Sequence, residues 1–459
     1  MPLMRSISGL RATLGDSMTP EIISRNVAAF ESTLEKGNII IGRDGRPSGR
    51  WIEQIVAGTL AACGRNIIIL GVVPTPTIQL FVEKSNAAGG ISITASHNPK
   101  EWNGLKFMNS NGVFFDYNEN SKMWDAEKFG DFKYINEQIG GDIFYENDAI
   151  EKHINSVLNL PLFDNDTLNK LKNRRFKVTV DAVNSAGSKA IPELLKNLGC
   201  QVDELFCDGS GIFPHIPEPV PKNLKQLCDA VKNNNSDLGI AVDPDADRLV
   251  FIDEKGEPVG EEKTIVLAVE TVLSNIDKFP KTDDEYTVTV NLSTTQIIDD
   301  ICKNYNIKLF RSAVGEINVI KTMKKNNSII GGEGSGGVIL PLCHYGRDSL
   351  VGTALVLYLM LQRDKKLSEI VSEFPFYNMV KTKCFFDGNL TKLYTKIPEL
   401  FPNGKIIKGD GIKVLFTNSW IHIRASNTEP FIRIIAEDPS LKEAKRLVNT
   451  VVNQCISAK

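Results

Sequence analysis

Short runs rich in isoleucine and valine alternate with longer segments in which apolar residues recur three and four positions apart. Residues 38–42 and 66–73 predict two strands, and the segment 48–64 between them predicts a helix. The same alternation returns later, with strands predicted at 176–181, 238–242, 286–290, 308–311 and 328–331. Strands separated by helices are typical of βαβ units, so the pattern predicts mostly parallel sheets covered by helices.

The C-terminal part of the chain has a different pattern. Strands predicted at 413–416, 420–424 and 431–437 lie close together with short turns, and a helix is predicted at 441–456. Such an arrangement is typical of an antiparallel sheet with helices. Because a chain of 459 residues is too long for one hydrophobic core, we expect an α/β fold of several domains. Three consecutive α/β domains with mixed, mostly parallel sheets are predicted at 1–147, 148–250 and 251–368, and an α+β domain at 369–459.

Composition narrows the classes of partner. The chain carries 53 basic and 56 acidic residues and a formal net charge of −3, which argues against nucleic acid or a membrane surface as the main partner. Its eight cysteines are scattered singly with no CxxC pair, so their spacing predicts neither a zinc site nor a disulfide framework. The N-terminal segment lacks the apolar stretch of a signal peptide, and no apolar run has membrane-spanning length. We therefore expect a cytoplasmic protein.

The segment Thr94-Ala-Ser-His-Asn-Pro99 follows an apolar run and precedes Lys100-Glu-Trp-Asn-Gly-Leu-Lys106. A buried strand that ends in a Ser-His pair presents one hydroxyl at the edge of a sheet, which suits a serine nucleophile or phosphate carrier. A plain turn explains a Ser-His dipeptide better when the dipeptide stands alone. The longer string makes Ser96 the candidate nucleophile.

The segment Asp243-Pro-Asp-Ala-Asp-Arg248 places three carboxylates at alternate positions directly after a predicted strand. Alternation in a loop lets all three converge on one hard cation, and carboxylate oxygens suit Mg²⁺. A calcium-binding EF-hand loop is an alternative, but its sixth position must be Gly, where this chain has Arg248. An acidic surface loop is the other alternative. The pattern favours a metal site made by Asp243, Asp245 and Asp247.

The glycine-rich segment 331–337 also follows an apolar strand. It lacks the GxxxxGK[ST] pattern, so a nucleotide site is weakly supported. The carboxylate of Glu333 and the hydroxyl of Ser335 suit recognition of neighbouring sugar hydroxyls, although a simple hinge is an alternative interpretation.

A second polar loop lies between two predicted C-terminal strands, at 424–430, with Arg433 on the second strand. Two arginines, two hydroxyls, an amide side chain and loop N–H groups can surround a phosphate dianion. An ordinary hairpin is the alternative. The candidate phosphate ligands are Arg424, Ser426, Asn427, Thr428 and Arg433.

These four motifs, in this order, resemble those of the α-D-phosphohexomutases. The resemblance implies that Ser96 carries a phosphate and that one of its oxygens, with Asp243, Asp245 and Asp247, holds one Mg²⁺ ion per chain. It further implies supporting roles around the serine. Arg248 would lie near the reacting phosphate, Arg11 would line the site, His97 would support the serine loop, and Lys106 would act as general acid or base if burial and neighbours lower its pKa.

The resemblance also implies how a sugar phosphate is held. Glu333 and Ser335 would bind ring hydroxyls, while the loop at 424–430 and Arg433 would hold the non-reacting phosphate. Glu316 lies in a segment similar to the loop that helps select the substrate. Many relatives have His directly after Ser-Gly, where this chain has Gly337. That role either passes to His344, seven residues further on, or is unfilled, and we assign it to His344.

The activity implied is an isomerase reaction between hexose 6-phosphate and hexose 1-phosphate. Hexose 1,6-bisphosphate would be both intermediate and activator, and hexose or hexosamine phosphates would be the partners. The domains would surround a central cleft, with the last domain mobile. The string around Gly331 and the later Gly-Arg-Asp look closest to phosphoglucosamine mutases, with phosphoglucomutase or phosphomannomutase as the alternative. A non-catalytic sugar-phosphate binder and a Mg²⁺ phosphatase are the competing classes.

Overall fold

The computed structural model describes residues 3–6, 9–136, 140–425 and 431–457. The chain forms two compact units. The first contains residues 1–283 and 335–370, and the second contains residues 284–334 and 371–459.

A seven-stranded mixed sheet begins the first unit, with strand order β1-β2-β6-β5-β3-β4-β7. Its strands are β1 (Met4–Ser6), β2 (Gly9–Thr13), β3 (Ile39–Arg43), β4 (Ile67–Val72), β5 (Gly89–Ile93), β6 (Trp102–Asn109) and β7 (Ile143–Tyr145), and its helices are α1 (Pro20–Ser32), α2 (Gly49–Ala62), α3 (Thr75–Lys84) and α4 (Tyr117–Phe129). β3 pairs in parallel with both β4 and β5, while β6 runs antiparallel to β5. The strand β3, which begins with three isoleucines, is therefore buried between its neighbours and carries the core.

A second, four-stranded sheet of the first unit has the order β11-β10-β8-β9. Its elements are α5 (Ala149–Leu158), α6 (Asn165–Arg174), β8 (Lys177–Asp181), α7 (Gly187–Asn197), β9 (Gln201–Phe206), α8 (Lys225–Asn234), β10 (Leu238–Val242) and β11 (Leu249–Ile252), with a short 3₁₀ helix at Pro221–Asn223. β10 is parallel to β8 and antiparallel to β11. The turn from β10 to β11 is the aspartate loop, so a buried strand fixes each of its ends.

The first unit also takes in α9 (Glu261–Leu273), a 3₁₀ helix at Ile276–Lys278, β15 (Gly337–Ile339) and α12 (Ser349–Arg363). α12 packs against α9 and against α5, α6 and α7. Because it is covered on several sides, its sequence is apolar nearly all the way round.

The second unit holds two sheets. Three parallel strands have the order β13-β12-β14, and five antiparallel strands have the order β16-β20-β19-β18-β17. The elements are β12 (Thr287–Asn291), α10 (Ile297–Asn304), β13 (Lys308–Ser312), α11 (Glu316–Lys325), β14 (Ser328–Glu333), β16 (Asn378–Phe385), α14 (Leu390–Leu400), β17 (Lys405–Lys408), β18 (Ile412–Leu415), β19 (Trp420–Ala425), β20 (Phe431–Asp438) and α15 (Leu441–Ser457), while the short α13 (Leu367–Ser372) lies where the chain passes from the first unit to the second.

The predicted fold class is confirmed: α/β segments precede a C-terminal antiparallel sheet with helices. Pro74-Thr-Pro76 ends β4 and begins α3, since Pro is accepted in the first helical turn. The polar stretch 117–148 contains α4, which Asp116 and Glu119 cap reciprocally, and the edge strand β7. Among the described residues, none of the helices combines the length and apolar character needed to cross a bilayer.

Candidate active site

Ser96 lies in the turn that follows β5, and its side chain is buried. Its backbone φ is +50°, in the left-handed region that costs a residue with a side chain about 1–2 kcal/mol. The hydroxyl donates to Asp243 Oδ2 at 2.9 Å and lies 3.3 Å from His97 Nδ1. The turn therefore aims Ser96 at the aspartate loop, 147 residues further along the chain.

A buried ion pair holds the serine turn in this conformation. Arg46 and Asp44 are joined at 2.9 Å, and the side chain of each is almost fully buried. Arg46 also donates to backbone carbonyls of the turn, at 2.6 Å to Ser96 and 2.8 Å to Asn98. Asp44 accepts from Thr94 at 2.7 Å. The ion pair therefore holds the backbone of the serine turn in place.

The three aspartates of the loop converge as predicted. Ligand oxygens of Asp243, Asp245 and Asp247 all lie within 4.8 Å of one another, and each residue is at most 1% exposed. Thr75, at the start of α3, donates to Asp245 Oδ2 at 2.9 Å. Burial together with the charges of Asp245 and Asp247 raises the pKa of Asp243 well above its usual value. Three carboxylates this close together repel one another unless positive charge is supplied nearby.

Two buried cations supply part of that charge. Lys106 on β6 donates to Asp245 at 2.5 Å and to Asp247 at 3.1 Å, and Arg347 donates to Asp247 at 2.6 Å. Burial alone would lower the pKa of Lys106, but Asp245 and Asp247 outweigh it and the pKa is raised. The lowered pKa required for Lys106 as general acid or base is therefore not found. Its contacts are those of a fixed positive charge.

Arg248, Arg11 and His97 lie around the same centre. Arg248 Nε is 4.0 Å from an oxygen of Asp243 and of Asp247. Arg11 on β2 donates to Asn98 at 3.0 Å. Arg248, burial and Arg11 together lower the pKa of His97 well below its usual value, so the ring is neutral at neutral pH.

The aspartates fit a hard divalent cation. Asp245 Oδ1 and Asp247 Oδ1 are buried and have no hydrogen-bond partner among the described residues. Such oxygens are costly to bury unpaired, and a bound cation would satisfy them. An oxygen-only donor set of this kind suits Mg²⁺.

The space beside Gly337 is filled by Arg347, not by His344. A Cβ atom at Gly337 would lie 2.3 Å from Arg347 Cδ, so the arginine needs a glycine there. His344 instead belongs to another cluster, in which its Nε2 lies 3.0 Å from Asp348 Oδ2. The expectation that His344 occupies the vacant position is corrected: the arginine three residues later in the same segment does so.

The candidate sugar ligands are placed as follows. Glu333 ends β14 and is buried, with Oε1 accepting from Asn291 at 2.8 Å and from the Gly315 backbone at 2.9 Å. Ser335 lies half-buried in the turn between β14 and β15. Glu316 begins α11 and is buried. Sequence reasoning missed Asn291, whose position at the end of a buried parallel strand was the available signal.

Arg424 and Arg433 lie directly opposite each other on the antiparallel strands β19 and β20. Arg424 Nε is buried without a hydrogen-bond partner among the described residues. The other predicted phosphate ligands, Ser426, Asn427 and Thr428, lie outside the described residues.

Family models match nearly the whole chain in four consecutive pieces. They are described as phosphoglucomutase/phosphomannomutase α/β/α domains I, II and III and the C-terminal domain, and they match residues 4–129, 151–256, 261–377 and 389–454. The chain belongs to the phosphoglucomutase/phosphomannomutase family. It is therefore an isomerase of the phosphohexomutase class, a class that depends on Mg²⁺.

Named relatives of this family are similar over almost their full length. A phosphoglucomutase/phosphomannomutase of Thermococcus kodakarensis is 35% identical, with 95% of each chain covered. A phosphoglucosamine mutase of Methanocaldococcus jannaschii is 31% identical, with 98% of each chain covered. A phosphoglucosamine/phosphogalactosamine mutase of Sulfurisphaera tokodaii is 30% identical, with 96% of each covered.

A solved family structure has the same fold. The phosphoglucomutase/phosphomannomutase family protein of Burkholderia thailandensis superposes with a TM-score of 0.83 at 23% identity, covering 99% of this chain and 98% of that one.

Proposed function

We propose that this family member interconverts hexose 6-phosphate and hexose 1-phosphate through a phosphorylated Ser96. The observation that carries the proposal is the 2.9 Å hydrogen bond from Ser96 Oγ to Asp243, within a buried group of three carboxylates and two cations. A structural serine has no need of this setting. A serine that gives and receives phosphate does, because phosphoryl transfer depends on positioning and charge stabilisation.

In the proposed cycle a phosphate on Ser96 is transferred to the free hydroxyl of a hexose monophosphate. The bond from Ser96 Oγ to phosphorus breaks as the bond from the sugar oxygen to phosphorus forms. The proton that the sugar hydroxyl loses ends on Ser96 Oγ, which becomes a free hydroxyl again. The resulting 1,6-bisphosphate reorients, and Ser96 takes the other phosphate by the reverse exchange. The bisphosphate is therefore also the activator that loads an unphosphorylated enzyme.

Formal charges around the serine suit this chemistry. Asp243, Asp245 and Asp247 face Lys106, Arg248, Arg347 and Arg11, so the described cations exceed the carboxylates by one when all are ionised. When bound to the three aspartates and a phosphoserine oxygen, Mg²⁺ would supply two further positive charges and polarise the phosphoryl group. Lys106 bridges Asp245 and Asp247, and Arg347 holds Asp247 from another side. Neutral His97 orients the Ser96 hydroxyl without adding charge.

Recognition of the sugar is proposed for Glu333 and Ser335. Asn291 and the Gly315 backbone bond to one carboxylate oxygen of Glu333, which fixes the plane of the carboxylate for a bidentate contact with sugar hydroxyls. Glu316 at the start of α11 is proposed to help select the substrate.

The non-reacting phosphate is proposed to bind Arg424 and Arg433, with Ser426, Asn427 and Thr428. Like charges directly opposite on neighbouring strands destabilise a sheet. A phosphate dianion between the two arginines would convert that repulsion into two charge-assisted contacts.

Phosphoglucosamine mutase is the substrate assignment we propose, and it is supported by relatives of that name at 30–32% identity. Phosphoglucomutase/phosphomannomutase is the second candidate, favoured by the Thermococcus relative at 35% identity.

The test is phosphorus NMR of the purified protein with Mg²⁺ and a trace of hexose 1,6-bisphosphate. Glucosamine 6-phosphate, glucose 1-phosphate and mannose 1-phosphate are offered in parallel, and the fastest conversion identifies the sugar. Release of inorganic phosphate without isomerisation would favour a phosphatase. Binding without conversion of any of these sugars would favour a sugar-phosphate binder.

Ser96→Ala should lower turnover by about a thousandfold or more while leaving the fold intact, because it removes the phosphate-carrying oxygen. The matched control is Ser85→Ala, an exposed serine at the end of α3, which should retain full activity. Turnover near the unmodified rate in the Ser96 variant would remove the phosphoserine mechanism.

A further inference from the structure

A second cluster of metal-ligating side chains lies in the first unit. It consists of His153 on α5 and of Cys343, His344 and Asp348 in the segment before α12. Their ligand atoms all lie within 4.8 Å of one another. All four residues are buried, with exposed fractions from 0% to 5%. The proposed chemistry at Ser96 makes no use of this cluster.

Asp348 is the centre of the cluster. Its Oδ2 lies 2.8 Å from His153 Nε2 and 3.0 Å from His344 Nε2. Its Oδ1 accepts from the backbone of Leu350 and Val351 and so caps α12. One carboxylate oxygen is therefore committed to the helix, and the other faces the two imidazoles.

A hydrogen-bonded network alone does not explain why a thiol belongs to this cluster. The Cys343 sulfur lies within 4.8 Å of the other ligand atoms, although a weak donor adds little to such a network. A thiolate sulfur beside imidazole nitrogens is a ligand set that a soft or borderline metal ion prefers.

We propose that His153, Cys343, His344 and Asp348 form a structural zinc site, separate from the magnesium aspartates. Imidazole, thiolate and carboxylate are the zinc ligands of proteins, and four protein ligands with no open position are typical of a structural site. The charges of the ion and its ligands also balance. One thiolate and one carboxylate balance Zn²⁺ while both imidazoles stay neutral, so the buried centre has no net charge.

The surroundings of the ligands are those of a metal site. His153 Nδ1 lies 2.8 Å from Thr77 Oγ1, and metal-bound histidines usually donate their second ring N–H to such a partner. Spacing along the chain could not reveal this site, because His153 is 195 residues from Asp348.

A zinc ion bound here would stiffen segments that contact the aspartate loop of the active site. Next to Asp348, Arg347 holds Asp247, and Ser349 donates to the Ala246 carbonyl at 2.7 Å. On α3, Thr77 lies two residues from Thr75, which holds Asp245. Zinc would therefore join α5 to the two segments that position the magnesium aspartates, which are α3 and the segment before α12.

The experiment begins with the full chain, purified under reducing conditions with added zinc and passed over a chelating resin. Mass spectrometry of the metal content should find about one zinc per chain. Replacement by Co²⁺ should give intense tetrahedral visible bands and a thiolate-to-cobalt charge-transfer band. Zinc below about a tenth of an ion per chain, or a cobalt spectrum without the thiolate band, would overturn the proposal.

Variants locate the ion. His153→Asn and Cys343→Ser should each lose zinc, and Thr77→Val should weaken zinc affinity about tenfold as an outer partner of the ligand. The matched control is Asp243→Asn in the magnesium loop, which should keep its zinc. Loss of zinc in that control, with retention in His153→Asn, would place the ion at the aspartates and refute the second site. The cobalt spectrum of the unmodified chain distinguishes the two sites even if a variant fails to fold, because only the second site contains a thiolate.

Discussion

Residue pairs that meet across long stretches of chain decide how the active site is held. Arg347 and Asp247 are 100 residues apart, and their 2.6 Å contact requires the absence of a side chain at Gly337. The Arg347–Asp247 contact and the glycine at position 337 therefore depend on each other. A glycine at this position is explained by space for the Arg347 side chain, and the loop need not be flexible there.

Gly337→Ala should lower the free energy of unfolding by about 1–3 kcal/mol, because the new methyl group overlaps Arg347. Arg347→Ala should also destabilise, by about 1.5–3 kcal/mol, since Asp247 loses a charged donor. In the double variant the overlap disappears, so the two losses should not add. Denaturant unfolding of all four proteins gives the coupling energy, and strictly additive losses would contradict the pairing.

Among residues, the sequence predicted the contacts made within one loop. It missed the contacts made by residues that are distant in the chain and come together only in the folded structure. Alternate spacing alone indicated that Asp243, Asp245 and Asp247 converge, because a loop between two strands leaves few other arrangements. Arg347 was missed since nothing in local spacing relates it to Asp247. The sequence made Lys106 a general acid or base only if burial and neighbours lower its pKa, and spacing could not show that Asp245 and Asp247 reach the ammonium group and raise that pKa.

Among the elements, the C-terminal sheet carries a row of cations. Lys383 on β16 is opposite Arg433 on β20, which is opposite Arg424 on β19. Directly opposite residues share a face of the sheet, so three positive charges lie side by side. The alternating pattern predicted β19 and β20, but β16, whose residues are mostly half-exposed, gave too weak a signal.

Arg424→Gln should raise the KM for a hexose phosphate by about tenfold to a hundredfold, since it removes a charged donor to phosphate. In the absence of ligand the same change should leave stability equal or slightly higher, because it relieves the repulsion with Arg433. The control is Lys405→Gln on β17, exposed and in the same domain. An unchanged KM for Arg424→Gln, measured by steady-state kinetics, would contradict the clamp.

A buried histidine joins the strand β19 to the loop after β12. His422 Nδ1 lies 2.8 Å from Ser293 Oγ, and its Nε2 lies 2.7 Å from the Asp410 carbonyl. Burial lowers the pKa of His422 from its usual 6.5 to about 4, although the Asp410 backbone and charge oppose this shift. The folded protein therefore holds a neutral ring where the unfolded chain takes up a proton.

The free energy of unfolding should consequently fall as the pH is lowered from about 6.5 towards 4, by up to about 3 kcal/mol. His422→Gln should flatten this part of the stability profile in urea titrations at a series of pH values. His215 provides a control of opposite sign. Burial would lower its pKa, but a bond to Asp181 raises it, so its contribution is present at low pH and is lost as the pH rises. An unchanged slope in His422→Gln would refute the assignment.

For the molecule as a whole, the contacts group the chain into two compact units, while the division into four domains stays a prediction. Residues 284–334 form one unit with residues 371–459. Buried polar contacts explain this grouping. Glu437 accepts from Thr295 at 2.5 Å, from the Gln296 backbone at 2.8 Å and from Trp420 at 2.7 Å, and Lys413 donates to the Leu292 carbonyl at 2.5 Å. Strand periodicity contains no information about such partners.

Glu437→Ala should destabilise the second unit by about 3 kcal/mol, because three buried donors lose their acceptor. Hydrogen exchange should then quicken in β12 and β20 together, although Thr295 and Glu437 are 142 residues apart in the chain. The control is Glu443→Ala, a half-exposed residue of α15 paired with Arg446. Faster exchange in β20 alone would show that the C-terminal sheet opens independently.

The first unit is interrupted, since the chain leaves it at residue 283 and returns at residue 335. A ribosome that has made 283 residues has therefore synthesised Ser96 and all three aspartates, but not Arg347, Ser349 or α12. At that moment Asp247 lacks its guanidinium partner, and the Ala246 carbonyl lacks the Ser349 hydroxyl. Synthesis must pass through the first part of the second unit before these partners appear. The order of translation makes the active site one of the last parts of the first unit to be completed.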